Sequence, residues 1–378
     1  MKAAKNNSLA SDRKRRGGKM AKEAMPRERP GLSAIDFFCG GGGMSCGLRQ
    51  AGINVIAGVD FDPDARETYE CNNGGAKFVN ADVTNLQLDY FEKEMGVRRN
   101  DDTLIFVGCS PCQFYSIINT EKTKSQKSKD LLLDFAKFVD YYRPGYVLVE
   151  NVPGILTNKS SILPQFLERL QAMGYATCVH EVVDLSYYGV PQSRKRFSLM
   201  ATRLNRPHLH LPQPDSKRSV LKDFIGEDHG FPKISAGTRD LSDFAHTAAG
   251  LSEKSLKRMR KTTPNGGSRL DWADDPELQL ECFKGKDDAF SDTFGRMRWD
   301  KPASTITTKF YSISNGRFGH PEEDRAISLR EGATLQTFPK DYVFKTKGIE
   351  PTAKLIGNAV PCEYARRLGE MIIKEHSA

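Results

Sequence analysis

Between residues 34 and 201 this chain alternates short apolar runs with stretches of helical periodicity, and that rhythm limits its fold more than any other feature. Residues 34–38, 55–60, 77–80, 104–108, 146–150, 178–183 and 197–201 read as strands. Runs such as 104–108 have no polar face, so they need cover on both sides. Helices fall between them, at 44–51, 63–71, 131–142 and 162–173. The third of these places apolar side chains at 131, 132, 135, 138, 139 and 142, along one face. Alternating strands and helices imply an α/β fold: a mostly parallel sheet with helices on both faces.

The rhythm stops after Thr202. Residues 205–300 are broken by Pro207, Pro212, Pro214, Pro232, Pro264, Gly266 and Gly267, and regular patterning returns at 326–378 with an amphipathic helix near 363–373. Four segments are expected: a basic arm at 1–32, a main α/β unit at 33–204, a smaller loop-rich unit at 205–325, and a return segment at 326–378. The net charge of +8 sits almost wholly in the first 30 residues, which hold ten Lys or Arg against three acids. The arm lacks apolar periodicity and reads as disordered, while the remainder is nearly neutral, so any surface for nucleic acid must be local. No apolar run reaches the ~18 residues of a membrane span, and a soluble, cytoplasmic protein is expected. The eight cysteines are scattered, unlike a disulfide scaffold. Cys109 and Cys112 form the one close pair, and no second pair completes a zinc site, so no metal is expected.

Two sites stand out. The first is Asp36-Phe37-Phe38-Cys39 followed by Gly40–Gly43, a turn between a strand and a helix where glycine lets a ligand approach the backbone. Asp60 ends the next strand, placed for ribose hydroxyls, and Asp82 follows a third, placed for an adenine amino group. Ser45 and Cys46 break the dinucleotide pattern and no phosphate-gripping Gly-Lys follows, so a nucleoside without pyrophosphate fits better, S-adenosyl-L-methionine first; a purely structural turn is the alternative. The second site gathers strand ends. Cys109, Ser110, Pro111, Cys112 and Gln113 follow one buried strand, then a lysine-bearing loop (Lys122, Lys124, Lys127, Lys129) suited to closing over a phosphate backbone. A thiol there can be lowered in pKa and reactive, or simply buried. Glu150-Asn151-Val152 ends the next strand, where a carboxyl in a dry crevice can stay protonated and donate. In Gln192-Ser193-Arg194-Lys195-Arg196, alternation puts both arginines on one strand face, able to clamp a carbonyl oxygen or an anion.

In this order the segments closely resemble the cytosine-5 DNA methyltransferases of bacterial restriction–modification systems. The resemblance rests on Pro111-Cys112-Gln113, Glu150-Asn151-Val152, Gln192 to Arg196, the Asp36–Gly43 opening (with Cys39 where Ala is usual), Arg330-Glu331-Gly332-Ala333, Leu335 to Pro339, and Gly357-Asn358-Ala359-Val360. It covers about 33–203 and 300–374. It implies a Rossmann-like methyltransferase fold with a mixed sheet, and a target-recognition domain in the loop-rich segment. By position it implies Cys112 as nucleophile at carbon 6 of a flipped-out cytosine, Glu150 at ring nitrogen 3 and the exocyclic amine, and Arg196 at the carbonyl with Arg194 alongside. It places S-adenosyl-L-methionine against Phe38, Gly40, Gly41, Gly43, Asp60, Phe61, Asp82, Val83, Pro111, Asn358 and Val360. Addition at carbon 6 makes carbon 5 an enamine carbon able to attack a sulfonium methyl, once the base has left the stack. Candidates for DNA contact are Lys254, Lys257, Arg258, Arg260, Lys261 and Arg269, and the 315–320 segment with Arg317; the first group could equally be a solvated helix face. Double-stranded DNA is the implied partner of a monomeric enzyme acting at the nucleoid, beside a separate restriction endonuclease. An RNA cytosine methyltransferase, an exocyclic-amine methyltransferase and a protein that merely binds are the alternatives. Neither the Cys-Phe-Thr signature of the transfer-RNA branch nor an Asp/Asn-Pro-Pro-Tyr/Phe segment is present.

Overall fold

The computed structural model describes residues 31–111, 130–285 and 290–378. The basic arm up to Pro30, Cys112 and the four loop lysines, Lys122, Lys124, Lys127 and Lys129, lie outside them. Seven strands form one sheet: β1 (Ser33–Phe37), β2 (Asn54–Asp60), β3 (Lys77–Asn80), β4 (Leu104–Gly108), β5 (Tyr146–Asn151), β6 (Thr177–Asp184) and β7 (Lys195–Thr202), in the order β3-β2-β1-β4-β5-β7-β6. β1 to β5 run parallel, and β7 runs antiparallel to both β5 and β6. The sheet is thus mostly parallel and mixed, as expected, with the antiparallel pairing confined to β7. Only residues 185–194 join β6 to β7, too few for the crossover that parallel neighbours need.

The helices are α1 (Gly43–Gln50), α2 (Arg66–Asn72), α3 (Tyr90–Met95), α4 (Leu131–Tyr142), α5 (Leu163–Ala172), α6 (Glu253–Lys261), α7 (Leu329–Leu335), α8 (Ile349–Asn358) and α9 (Cys362–Ser377). Period-two alternation feeds both faces of the sheet. Ile35, Phe37, Phe106, Val147 and Val149 join one apolar cluster with α4 and α5, while Ala34, Ile105, Val107, Tyr146 and Leu148 join another with α1 and α9. Tyr364, Ala365, Leu368 and Ile372 of α9 share the second cluster with α1. This last helix crosses α1 so closely that a Cβ on Gly47 would lie 2.2 Å from the Cys362 carbonyl oxygen and 2.5 Å from Ala365 Cβ.

Residues 31–378 form one compact unit. Within 205–325, Met259, Trp272, Leu278, Phe294 and Ile313 build a small apolar cluster of their own with Ala326. A second cluster straddles the expected boundary at 325, joining Leu221, Met297, Ile306 and Phe310 to Ile327, Leu335 and Ile356. Residues 305–308 lie against the link before β7: Thr305 Oγ1 donates to the Ser193 carbonyl, and Ile306 N to Gln192 Oε1. No helix among the described residues is long and apolar enough to cross a membrane.

The α1–α9 contact is backbone against backbone, so it cannot give way by rotamer change. Gly47→Ala is expected to lower the urea midpoint by the equivalent of about 1–3 kcal/mol. Gly74→Ala, whose Cβ would meet nothing within 4 Å, should stay within about 0.5 kcal/mol of wild type. Equal effects of the two would show that the crossing is not tight.

Candidate active site

The C-terminal ends of β1, β2, β4 and β5 share one edge of the sheet, and the crevice opens where β1 and β4 lead away in opposite directions. After β1, Phe38 and Gly40 take positive φ values of 63° and 50°. Gly40 N donates to Asp60 Oδ2 at 2.8 Å, and Asp62 N donates to Oδ1 at 2.9 Å. Burial raises the Asp60 carboxyl above its ordinary pKa, partly offset by these two amides. Each oxygen keeps a lone pair for a ligand hydroxyl. A Cβ on Gly40 would meet nothing within 4 Å, so the loop faces open space there. Phe61, the next residue after Asp60, is 64% exposed and leaves a free aromatic face.

The other glycines serve the chain itself. A Cβ on Gly41 would stand 3.1 Å from Leu355 Cβ, and one on Gly43 2.4 Å from the Val360 carbonyl oxygen. What their missing side chains admit is α8 and the turn behind it. Below the loop Asp36 is buried; its Oδ2 accepts from Ser45 Oγ at 2.7 Å, and that hydroxyl lies 2.8 Å from Tyr69 Oη. Burial pushes Asp36 up to about 7, against the lowering pull of its Ser45 bonds. Its Oδ1 is buried without a hydrogen-bond partner among the described residues. The sequence reading used Ser45 only to reject a dinucleotide pattern and missed this network, whose signal was an acid four residues before a glycine turn. Asp82, expected at the adenine, is exposed and accepts from Thr84 N at 3.0 Å and from the Thr84 hydroxyl. Val83 is buried beside it. Asn358 is exposed at the end of α8, Val360 is buried, and Pro111 is half-buried after β4.

At the same edge, Arg196 Nε lies 3.0 Å from Glu150 Oε1, with the two side chains only 14% and 8% exposed. The antiparallel register pairs Glu150 with Ser198, so Arg196, two residues earlier, reaches the end of β5 from β7. The carboxyl faces a guanidinium rather than the apolar wall expected for a proton donor. Arg194 departs from the sequence reading. It is buried, and its Nη1 and Nη2 donate to the carbonyls of Ile306 and Ala359, each at 3.1 Å. Interior carbonyls outside any ladder need donors, and Arg194 supplies them instead of standing beside Arg196 as a base clamp. Gln192, which the sequence reading gave no role, is buried too; its amide nitrogen reaches the Leu335 carbonyl at 2.8 Å and Gln336 Oε1 at 2.7 Å.

A family model of the C-5 cytosine-specific DNA methylases matches residues 32–374. The chain belongs to this family. The Type II methylase M.HgiDII of Herpetosiphon aurantiacus is 36% identical over 348 residues, covering 90% of this chain and 94% of that protein. The Type II methyltransferase M1.HphI of Haemophilus parahaemolyticus is 29% identical over 347 residues, covering 91% and 87%. Among solved structures, a DNA modification methyltransferase encoded within an E. coli prophage superposes with a TM-score of 0.69 at 20% identity, covering 92% of this chain and all of that one. S. pombe Dnmt2 gives 0.58 at 17%, with 92% and 100% covered. These last two likenesses show the fold. As a C-5 cytosine-specific DNA methylase the protein is an S-adenosyl-L-methionine-dependent DNA (cytosine-5-)-methyltransferase.

The basic residues expected to meet DNA divide sharply in this methylase. Lys254, Lys257 and Arg260 stand on the solvent face of α6, Lys257 with Glu253 at 4.0 Å and Arg260 with Asp324 at 3.8 Å. Lys261 is exposed but paired with Asp275. Arg258 and Arg269 turn inward and are buried. Arg258 is 5% exposed between the rings of Trp272 and Phe294, with Nε on the Leu278 carbonyl; Arg269 is 2% exposed over Phe283. In the 315–320 segment, Phe318 and His320 are buried. Arg317 is held by Asp292 and by the carbonyls of Gly266, Gly267, Ser291 and Arg296. His320, Glu323 and Glu331 are close enough together to suggest a cation site. Arg325 already grips both Glu331 oxygens, at 2.7 and 2.9 Å. Burial would raise Glu331, but Arg325 outweighs it and holds the carboxyl at about 2.

The Asp36 shift has a signed consequence. The group ionises near 3.8 in the unfolded chain and near 7 when folded, so between those values the native state binds the extra proton. Its contribution to stability is full below about pH 4 and is lost as pH rises to 7. The stability of Asp36→Asn relative to wild type, from urea melts at stepped pH, is expected to climb across that window by up to about 4 kcal/mol. A difference that stays level from pH 4 to 7 would contradict the buried, raised carboxyl.

Proposed function

We propose that Cys112 carries covalent catalysis on a cytosine held by Glu150 and Arg196, and that residues 205–325 choose the site in duplex DNA. The observation that supports it most is the Glu150–Arg196 pair, a carboxylate and a guanidinium 3.0 Å apart at the edge where β4 also ends. Cytosine offers a matching row: a carbonyl oxygen that accepts from the guanidinium, ring nitrogen 3 that accepts from the carboxyl when Glu150 takes up a proton, and the exocyclic amine that donates to the other carboxyl oxygen. Glu150 and Arg196 thus hold the pyrimidine by one edge, and hydrogen bonding at nitrogen 3 draws electrons away from carbon 6. The Cys112 sulfur forms a bond to carbon 6, and the ring electrons shift to make carbon 5 nucleophilic. After carbon 5 is methylated, loss of its proton returns an electron pair to the ring and breaks the bond to sulfur.

The methyl donor's site fits the residues present. Asp60 offers free lone pairs, Phe61 an exposed ring, Gly40 an open approach, and Asp36 Oδ1 an unpartnered acceptor. S-adenosyl-L-methionine bound there supplies the electrophilic methyl group. Arg194 and Gln192 position: they tie the 303–306 and 356–360 backbones to the start of β7. The Type II relatives support a sequence-specific enzyme that protects DNA within a restriction–modification system. We take it to act as a monomer in the cytoplasm, at the nucleoid, with any endonuclease separate.

Cys112→Ala is expected to abolish methyl transfer to duplex DNA, more than 10³-fold, while cofactor affinity measured by calorimetry stays within about threefold. Glu150→Gln should lower kcat by about 10²–10⁴-fold. Nucleoside analysis should find 5-methylcytosine in DNA and none in RNA. Undiminished transfer by Cys112→Ala would remove the proposed nucleophile.

A further inference from the structure

A cavity of about 300 Å³ lies within the loop-rich segment, lined among others by Arg298, Lys301, Ser304 and Arg317. No carboxylate is among its lining residues. Arg298 and Lys301 are exposed, and neither has an ion pair or a side-chain hydrogen bond among the described residues. This separates them from Arg258 and Arg269, which are buried, and from Arg317, whose donors are engaged inside the protein. Ser304 adds a half-exposed hydroxyl.

The seat is built, not incidental. Arg298 lies flat across Gly266, where a Cβ would fall 2.3 Å from its Nε, and Gly266 itself has a φ of 120°. Arg317 is fixed by its own hydrogen bonds at the back of the cavity. Under the floor the buried Arg296 donates to the carbonyls of Met259, Thr262, His320 and Glu323. The front is tied to the active site: Ala303 N donates to the Pro191 carbonyl and Ser193 N to the Ala303 carbonyl, both at 2.8 Å. Lys301 is two residues from that tie and Arg196 three. At no more than ~3.6 Å per residue plus the width of the pairing, the cavity lies within roughly 25 Å of the Glu150–Arg196 pair. That is about seven base-pair steps along a duplex.

We propose that this cavity seats a backbone phosphate of the DNA near the target cytosine, held by Arg298 and Lys301 with Ser304 donating a hydrogen bond. The assignment rests on DNA being the substrate. Two free cations, a hydroxyl and no acid are the chemistry of a phosphate oxygen cluster. The rigid link to residues 191–193 makes the contact a register mark, fixing where the duplex lies relative to Arg196.

The test is filter binding of wild type, Arg298→Ala/Lys301→Ala and Arg298→Lys to a plasmid the enzyme methylates and to the same plasmid already methylated, from 50 to 200 mM salt. The double variant should bind both DNAs about 10-fold more weakly at low salt, and the slope of log K against log [salt] should become shallower by about one. Arg298→Lys should keep the wild-type slope, and the urea midpoint should not move in any variant. A double variant with unchanged slope and affinity overturns the seat. So does a loss seen on one DNA alone, which would mean a base contact. Failure of wild type to bind or methylate DNA at all would strike instead at the underlying assignment of substrate.

Discussion

The reversed direction of β7 is the constraint on which the site depends. A parallel sheet gathers only strand C-termini at its ligand edge. Because β7 enters between β5 and β6 antiparallel to both, its N-terminal end arrives at that same edge. Arg196 is the second residue of this strand and Glu150 the second-last of its neighbour, so their contact follows from the pairing register rather than from a flexible loop. The short link from β6 to β7 enforces the reversal, and Gln192 and Arg194 sit in that link.

Those two residues make the reversal a junction. Gln192 is bonded to the end of α7 and to Gln336, while Gln336 donates in turn to the carbonyls of Ile356 and Ala359. Arg194 reaches Ala359 and Ile306 from the other side. Segments far apart in sequence thus converge on one buried polar lattice. The glycine turn joins it from the opposite side, since Gly43 admits the Val360 carbonyl and Gly47 admits α9. The cofactor side and the base side are therefore parts of one rigid edge. Hydrogen-bonded interior polar groups of this kind hold a single geometry well, and the loss of one partner is costly.

The sequence carried the sheet because period-two alternation with both faces apolar leaves a strand few other places to go. Helix α3 escaped notice: it is one and a half turns long, with three charges and a single buried ring, Phe91. Glu150 and Arg196 were legible from position, being polar residues at the edge of buried strands. Arg194 was misjudged, since alternation tells which face a side chain takes and not whether carbonyls wait there. The same limit applies to α6, where a run of cations looked like one surface. Helical spacing turns Arg258 inward against Trp272 while Lys254, Lys257 and Lys261 stay in water. Arg298 and Lys301, with no run around them, drew no attention from sequence, yet neither side chain has an ion pair or hydrogen bond among the described residues.

The central claim is a transient bond between the Cys112 sulfur and a cytosine gripped by Glu150 and Arg196. It is tested most directly by denaturing mass spectrometry of the protein incubated with methyl donor and duplex DNA containing 5-fluorocytosine at the modified position, where fluorine blocks the final elimination. The account predicts a species with the summed mass of protein, DNA strand and one methyl group, formed by wild type, with the adduct mapping to the peptide that contains Cys112. Absence of that species from active wild-type enzyme, or its appearance in Cys112→Ala, would contradict the account.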